Sequence, residues 1–194
     1  MSVQSTDIKF YLTGANSDGA TQVDPNASLG NYRSASVITS GSINNLFDNI
    51  SSSEADDGDI DYRCICVKNE SAETLFNVVS WIYAEVDPDS IQQFSFAVET
   101  PQTSNLTDGS AQTIIDEDTS PTVDTTGHNG TGSGISAWST ATAKDDGVSP
   151  EQGSHDDDLD AGEVMFIWIK RAITAGAPAR TNLSGTLRVE GDTN

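Results

Sequence analysis

The sequence predicts an all-β protein: a single antiparallel β-sandwich, jelly-roll or immunoglobulin-like, with about eight or nine strands. Three observations carry this expectation. Apolar residues come in short runs, many alternating with polar ones and separated by Gly-, Asp- and Asn-rich turns. Ser and Thr make up nearly a quarter of the 194 residues, alongside 16 Gly. No apolar pattern of helical period runs long enough for a core helix.

Each element can be justified in chain order. Asp7 to Leu12 (DIKFYL) reads as the first strand, closed by the turn region Gly14–Gly19. Asp24, Pro25 and Asn26 start another turn, and Tyr32 to Ile38 reads as a weaker strand. Ile43 to Ile50 (INNLFDNI) places apolar residues at 43, 46, 47 and 50, which suits one or two helical turns or an irregular connection. The acidic turn Asp56–Asp61 leads into Tyr62 to Val67 (YRCICV). The turn Asn69–Ser71 then leads into Leu75 to Tyr83 (LFNVVSWIY), and the two runs are expected to form a long hairpin or an adjacent pair. Gln92 to Val98 (QQFSFAV) alternates, with Phe94, Phe96 and Val98 on one face. From Thr100 to Gly134 the chain is polar, a long loop excursion holding one strand-like stretch, Gln112 to Ile115. Ile135 to Ser139 is short and extended. Glu163 to Lys170 (EVMFIWIK) is apolar on both faces, as a central strand would be, and Leu183 to Glu190 (LSGTLRVE) alternates again. No internal repeat or linker divides the chain, so residues 1–194 form one domain, with 100–134 as an excursion within it.

Charge is the dominant compositional feature. Thirty Asp and Glu face nine Lys and Arg, a formal charge of −21. The acids are spread along the chain, and a surface this rich in like charge repels itself at low ionic strength. Concentrated salt relieves that repulsion, because the Debye length falls to about 3 Å at 1 M. The expected setting is therefore a high-salt environment. Nucleic acid is excluded as a partner, because phosphate neutralisation needs clustered Lys and Arg. No run approaches the ~18 apolar residues of a membrane helix, and the start, Met1 to Asp7, has no signal-peptide pattern. A soluble product of the cytoplasm that needs no membrane follows as an expectation.

The catalytic inventory is poor, and no enzyme is expected. No Gly-x-Ser-x-Gly elbow occurs, and the two histidines, His128 and His155, lie in Gly- and Asp-rich loops. The Gly-rich run 127–134 is not followed by Gly-Lys-Ser/Thr and so is no phosphate loop. Cys64 and Cys66, two residues apart on a strand, point to one face at about 7 Å, too far for a mutual disulfide. They read as small core residues rather than metal ligands.

No cofactor is required, but two segments could hold Ca2+ or another hard cation. Asp156, Asp158, Asp160 and Glu163 alternate as in a calcium loop, though Gly162 is displaced from the EF-hand position and no helix flanks it. Asp57, Asp59 and Asp61 form a second such set. Turn chemistry accounts for both equally well. Six Asn-x-Ser/Thr sequons begin at Asn26, Asn49, Asn69, Asn105, Asn129 and Asn182 and are glycosylation candidates, with Ser/Thr-rich turns as the plainer reading. Trp81 and Trp168 sit among apolar residues and read as core. Trp138, in a polar context, is the one candidate contact for a glycan or a partner.

Several segments taken together carry a resemblance. They are DIKFYLTG at 7–14, DPNASLG at 24–30, NNLFD at 44–48, DGDIDYRCICVKN at 57–69, AGEVMFIWIKRAITAGAPA at 161–179 and GTLRVEGDT at 185–193. As a set they resemble a family of uncharacterised virion structural proteins of tailed phages and related viruses, thinnest over 84–160. The acidic, Lys-poor composition is similar to that of haloarchaeal tailed viruses. The resemblance implies a particle component without catalytic residues: a capsid decoration or turret protein first, a tail- or baseplate-associated protein second. It implies localisation in the virion, capsid subunits as neighbours, and a cyclic homo-oligomer. A glycan-binding adhesin or receptor-binding module is the competing reading.

Overall fold

The computed structural model describes residues 2–87, 89–99, 110–123, 134–150, 157–178 and 183–193. Its strands are β1 (Ile8–Leu12), β2 (Gly30–Tyr32), β3 (Asp59–Asn69), β4 (Phe76–Val86), β5 (Gln92–Val98), β6 (Ser110–Thr113), β7 (Val164–Ile173) and β8 (Ser184–Asp192). One short helix, α1 (Ser52–Asp57), precedes β3, and single 3-10 turns lie at Pro25–Ala27 and Lys144–Asp146. All paired strands are antiparallel.

The centre is a four-stranded sheet in the order β1-β3-β7-β5. Its two middle strands are apolar on both faces because both faces are covered. Ile65 and Val67 of β3 and Met165, Ile167 and Ile169 of β7 point to one side. There they pack with Phe96 of β5 against Val78, Trp81 and Ile82 of the two-stranded ribbon β4-β8. Cys64 and Cys66 of β3 and Val164, Phe166 and Trp168 of β7 point to the other side. They pack beneath Ala111 and Ile114, next to the ribbon β2-β6, together with Ile135 and the half-buried Trp138. The strand period of two residues thus builds two cores from one pair of strands. Trp168 is completely buried, and burying such a side chain contributes a few kcal/mol.

The expected all-β, antiparallel, sandwich-like fold is the one found, with a ribbon on each face of a central sheet rather than two simple sheets. β1, β5, β7 and β8 fall where the apolar runs placed them, and β7 is central as expected. The hairpin or adjacent pairing of the 62–67 and 75–83 runs is not found. β3 pairs with β1 and β7, whereas β4 pairs with β8 in a different layer. Both runs are apolar, and only tertiary packing decides which neighbour each takes.

One other segment differs from expectation, at 32–38, while at 43–50 the irregular connection is the alternative found. At 32–38, β2 ends at Tyr32 and the chain continues only through isolated bridges at Ser34 and Val37. The Ser34 and Ser36 hydroxyls both donate to the Gln22 carbonyl (2.5 and 2.6 Å), a side-chain alternative to a regular ladder. At 43–50 there is no helix. Leu46 and Phe47 turn inward against the core, and the Asn45 side-chain amide donates to the Thr39 carbonyl at 2.9 Å. The contact between β2 and β6 is close. Gly30 has φ +93, and a Cβ there would lie 1.7 Å from the Gln112 carbonyl oxygen, so only glycine fits.

Candidate functional site

Among the described residues, carboxylates and guanidinium groups gather most closely at the start of β3. α1 begins with a capping box: the Ser51 hydroxyl accepts from the Glu54 N–H, and the Glu54 carboxylate accepts from the Ser51 N–H. Gly58, with φ +77, ends the helix, and a Cβ there would press on the Ile173 carbonyl oxygen at 3.1 Å. β3 then places Asp59, Asp61 and Arg63 on one face by its two-residue period. Arg171 of β7 stands directly opposite Asp61 in the register. The turn at 116–119 brings Glu117 and Asp118 alongside, anchored where the Tyr62 N–H donates to the Glu117 carbonyl at 2.8 Å.

Two carboxylate groupings meet at Asp61. Glu54, Asp59 and Asp61 have ligand atoms within 4.8 Å of one another, and so do Asp61, Glu117 and Asp118. Two guanidinium groups share the site. Arg171, 4% exposed, donates from Nε and Nη2 to Asp61 Oδ2 at 2.7 and 2.6 Å and from Nη1 to the Asp48 carbonyl at 2.7 Å. Arg63, fully buried, pairs with Glu117 and donates to Asn26 Oδ1 at 2.9 Å. Phe47 lies between them, its ring centroid 4.9 Å from the Arg171 guanidinium carbon and 5.5 Å from that of Arg63. Burial lifts the Asp61 carboxyl above its usual range, with Arg171 pulling it back and Asp59 and Glu117 adding to the rise. Asp118 is also raised, by desolvation and then by the charges of Asp59, Glu117, Asp116 and Glu54. With the Asp48 carboxylate, 3.4 Å from Arg171 Nη2, six carboxylates thus face two cations, an excess that suits a hard cation with oxygen ligands.

The sequence-predicted residues are distributed as follows. Asp59 and Asp61 come together in the hub, while Asp57 lies on the exposed end of α1 and outside both groupings. Asp156 lies outside the described residues. Asp158 Oδ1 accepts from the Asn77 N–H (3.0 Å), Asp160 Oδ1 from the Thr74 hydroxyl (2.5 Å), and Glu163 Oε2 from the Asp160 N–H (2.8 Å). These three acids fasten the turn before β7, and among the described residues they do not converge as a ligand set. Trp138 is half-buried, 5.6 Å from the Tyr62 ring, with Lys170 Nζ 5.1 Å from its ring centroid.

Among the sequons, Asn26 and Asn49 are exposed, whereas Asn105, Asn129 and Asn182 lie outside the described residues. Asn69 is buried. Its amide donates to the Glu73 and Leu159 carbonyls (both 2.8 Å) and accepts from the Ser71 N–H, which removes it as a glycosylation candidate in the folded chain. Cys64 and Cys66 are free and fully buried. Burial pushes both thiols far up, so they act as core residues, as expected. His128 and His155 lie outside the described residues.

Sequence reasoning missed another buried carboxylate. Glu99, 5% exposed, accepts from the Trp168 indole N–H at 2.5 Å and from the Gln112 N–H at 3.0 Å. Burial raises its pKa to about 7, against the lowering effect of these donors. It ties the β2-β6 ribbon to the central sheet. An acid at the end of an alternating apolar strand was the available signal. A shallow depression is bounded by Ile50, Ser51, Ser52, Ala55, Ile91, Pro178 and Leu183 and contains no titratable side chain. No helix among the described residues is long and apolar enough to cross a membrane.

No family model, curated protein or solved structure matches this chain.

Proposed function

We propose that this chain is a non-enzymatic structural component of a virus particle from a halophilic host, carried on the outer surface of the capsid. The observation that carries the halophilic part is where the few cations lie. Of nine Lys and Arg, Arg63 and Arg171 are buried in ion pairs, and Arg33, its side chain 11% exposed, is paired with Asp18 at 2.7 Å. Each of these cations is matched by an acid, and Asp61, Glu99 and Glu163 are buried as well, so almost the full net charge of −21 still faces solvent, and such a surface needs salt to stay compact. A β scaffold whose two middle strands build a core on each face supports a packing role. The segments that resemble tailed-virus structural proteins supply the particle assignment.

The test is co-sedimentation of the purified chain with host-virus capsids in molar salt, with gold-labelled antibody to locate it on particles. Binding to capsids and label over the shell are the expected results. Absence from purified particles, or label confined to the tail tip, overturns the assignment.

A further inference from the structure

Among the described residues, one long sheet edge is left uncovered. The outer edge of β1 is met by the chain at 36–38, that of β5 by Ile135–Ser139, and that of β4 by Ala141, Val148 and Asp157–Leu159. β8 pairs with β4 alone, and no described residue takes its other edge. The phase of the β4-β8 ladder shows which groups are open. The Ser80 N–H and carbonyl both bond Val148, and the Ile82 N–H bonds the Ala141 carbonyl, so these residues turn their backbone groups away from β8. Ser80 stands opposite Val189 and Ile82 opposite Leu187, which makes these the non-hydrogen-bonded pairs of the ladder. The N–H and C=O groups of Val189 and Leu187 therefore point out along the free edge, as do those of Gly191 by alternation. The irregularities in this ladder place their extra residues in β4, at 76–79 and 82–84, so β8 stays regular from Ser184 to Glu190, and it contains no proline. Such an edge is a template for another strand.

Charge selects the strand. Arg188 and Glu190 project from the same face of β8, their side chains each 42% exposed. In an antiparallel self-pairing with Val189 on the two-fold axis, Val189 faces its own copy and Leu187 faces Gly191. Arg188 then faces Glu190 of the second copy, twice. This register also matches the open hydrogen-bond phase. An axis at Arg188 or at Glu190 would set like charges face to face, which is destabilising, and an axis at Leu187 would leave Arg188 and Glu190 with only their partners within the chain, each other at 3.4 Å and Lys144 at 3.7 Å from Glu190. We propose that two copies of this chain pair edge to edge through β8, across a two-fold axis at Val189, forming a continuous ribbon β4-β8-β8-β4. Because the outer edges of β1, β4 and β5 are covered, growth through this contact closes at two. The pairing rests on the edge alone and holds whether or not the chain belongs to a particle.

Two bodies of charge −21 repel, so the dimer should form in molar salt and dissociate as salt is diluted. Sedimentation velocity of the full chain reads this directly. At the salt concentration where the natural chain is half dimeric, Glu190→Arg should weaken the dimer by ~10-fold or more, since it sets Arg against Arg at both pairs. The swap Arg188→Glu with Glu190→Arg should restore it. Val189→Pro removes an outward N–H that the fold does not use, and it should give a monomer with an unchanged far-ultraviolet circular dichroism spectrum. If Val189→Pro fails to fold, the charge pair of variants carries the test. A natural chain that stays monomeric in molar salt at its highest soluble concentration overturns the proposal. So does a dimer that Glu190→Arg leaves intact.

Discussion

Asp61 and Glu99 are both buried carboxylates lying on opposite faces of the central sheet, and the protein treats them differently. Asp61 has a guanidinium in register with it on the neighbouring strand, so its charge is matched by Arg171 even though burial lifts its pKa. Among the described residues Glu99 has only neutral donors, the Trp168 indole and the Gln112 backbone, and its pKa rises to about 7. In a protein covered with solvated acids, these two show that burial sets the behaviour of a carboxylate, and that the partner decides whether it stays charged. Asp61 holds a cation in place. Glu99 is a carboxyl whose charge depends on pH near neutrality.

The largest effect should come from breaking the Asp61 side of this contrast. Arg171→Met leaves Asp61 buried without its cation and should lower stability by about 3–5 kcal/mol in urea unfolding at molar salt. Pairing it with Asp61→Asn should recover much of that loss. Glu99 should give the next largest effect, visible as a pH slope. Its folded pKa lies above the unfolded value near 4.5, so its contribution is complete below about pH 4.5 and is lost as pH rises through about 7. The natural chain should therefore lose about 3 kcal/mol relative to Glu99→Gln between pH 4.5 and 8. Parallel unfolding curves for the two chains across that range would show that the carboxyl does not titrate there. A solvent-side acid provides the reference: Asp160→Ala, which loses the Thr74 hydroxyl bond, should cost about 1 kcal/mol. The smallest effect belongs to Asp118→Asn, which relieves repulsion from Asp59 and Glu117. It should raise the melting temperature slightly at low salt and leave it unchanged in molar salt.

The sequence carried the strands but not their partners. The alternation of Phe94, Phe96 and Val98 and the doubly apolar run 164–169 located β5 and β7, because side-chain period follows from backbone geometry. The separation of β3 from β4 was not legible, since two apolar strands carry no label for their layer. α1 had a readable signal in Ser51 and Glu54, a capping box three residues apart, masked by the surrounding acids. Asp59 and Asp61 were legible as a candidate cation set, but in an acidic turn rather than on β3, where the structure places them. Glu54, Glu117 and Arg171 were not, because they reach the same point from distant parts of the chain. The two Asp-rich segments look alike in sequence. One converges on Asp61, while in the other Asp158, Asp160 and Glu163 bond nearby backbone and hydroxyl groups.

The strand order β1-β3-β7-β5 also sets a timetable for synthesis. Cys64 pairs with Trp168, so the central ladder joins residues separated by more than half the chain. A ribosome would release β3 long before β7 exists, and the nascent chain must keep Ile65, Val67 and their neighbours from sticking elsewhere in the meantime. Closing so long a loop is slow, typically milliseconds to seconds for sheets dominated by distant pairings. During that interval the like-charged carboxylates flanking each apolar run would hold unfinished chains apart from one another, acting as gatekeepers against aggregation before the fold exists to be solvated.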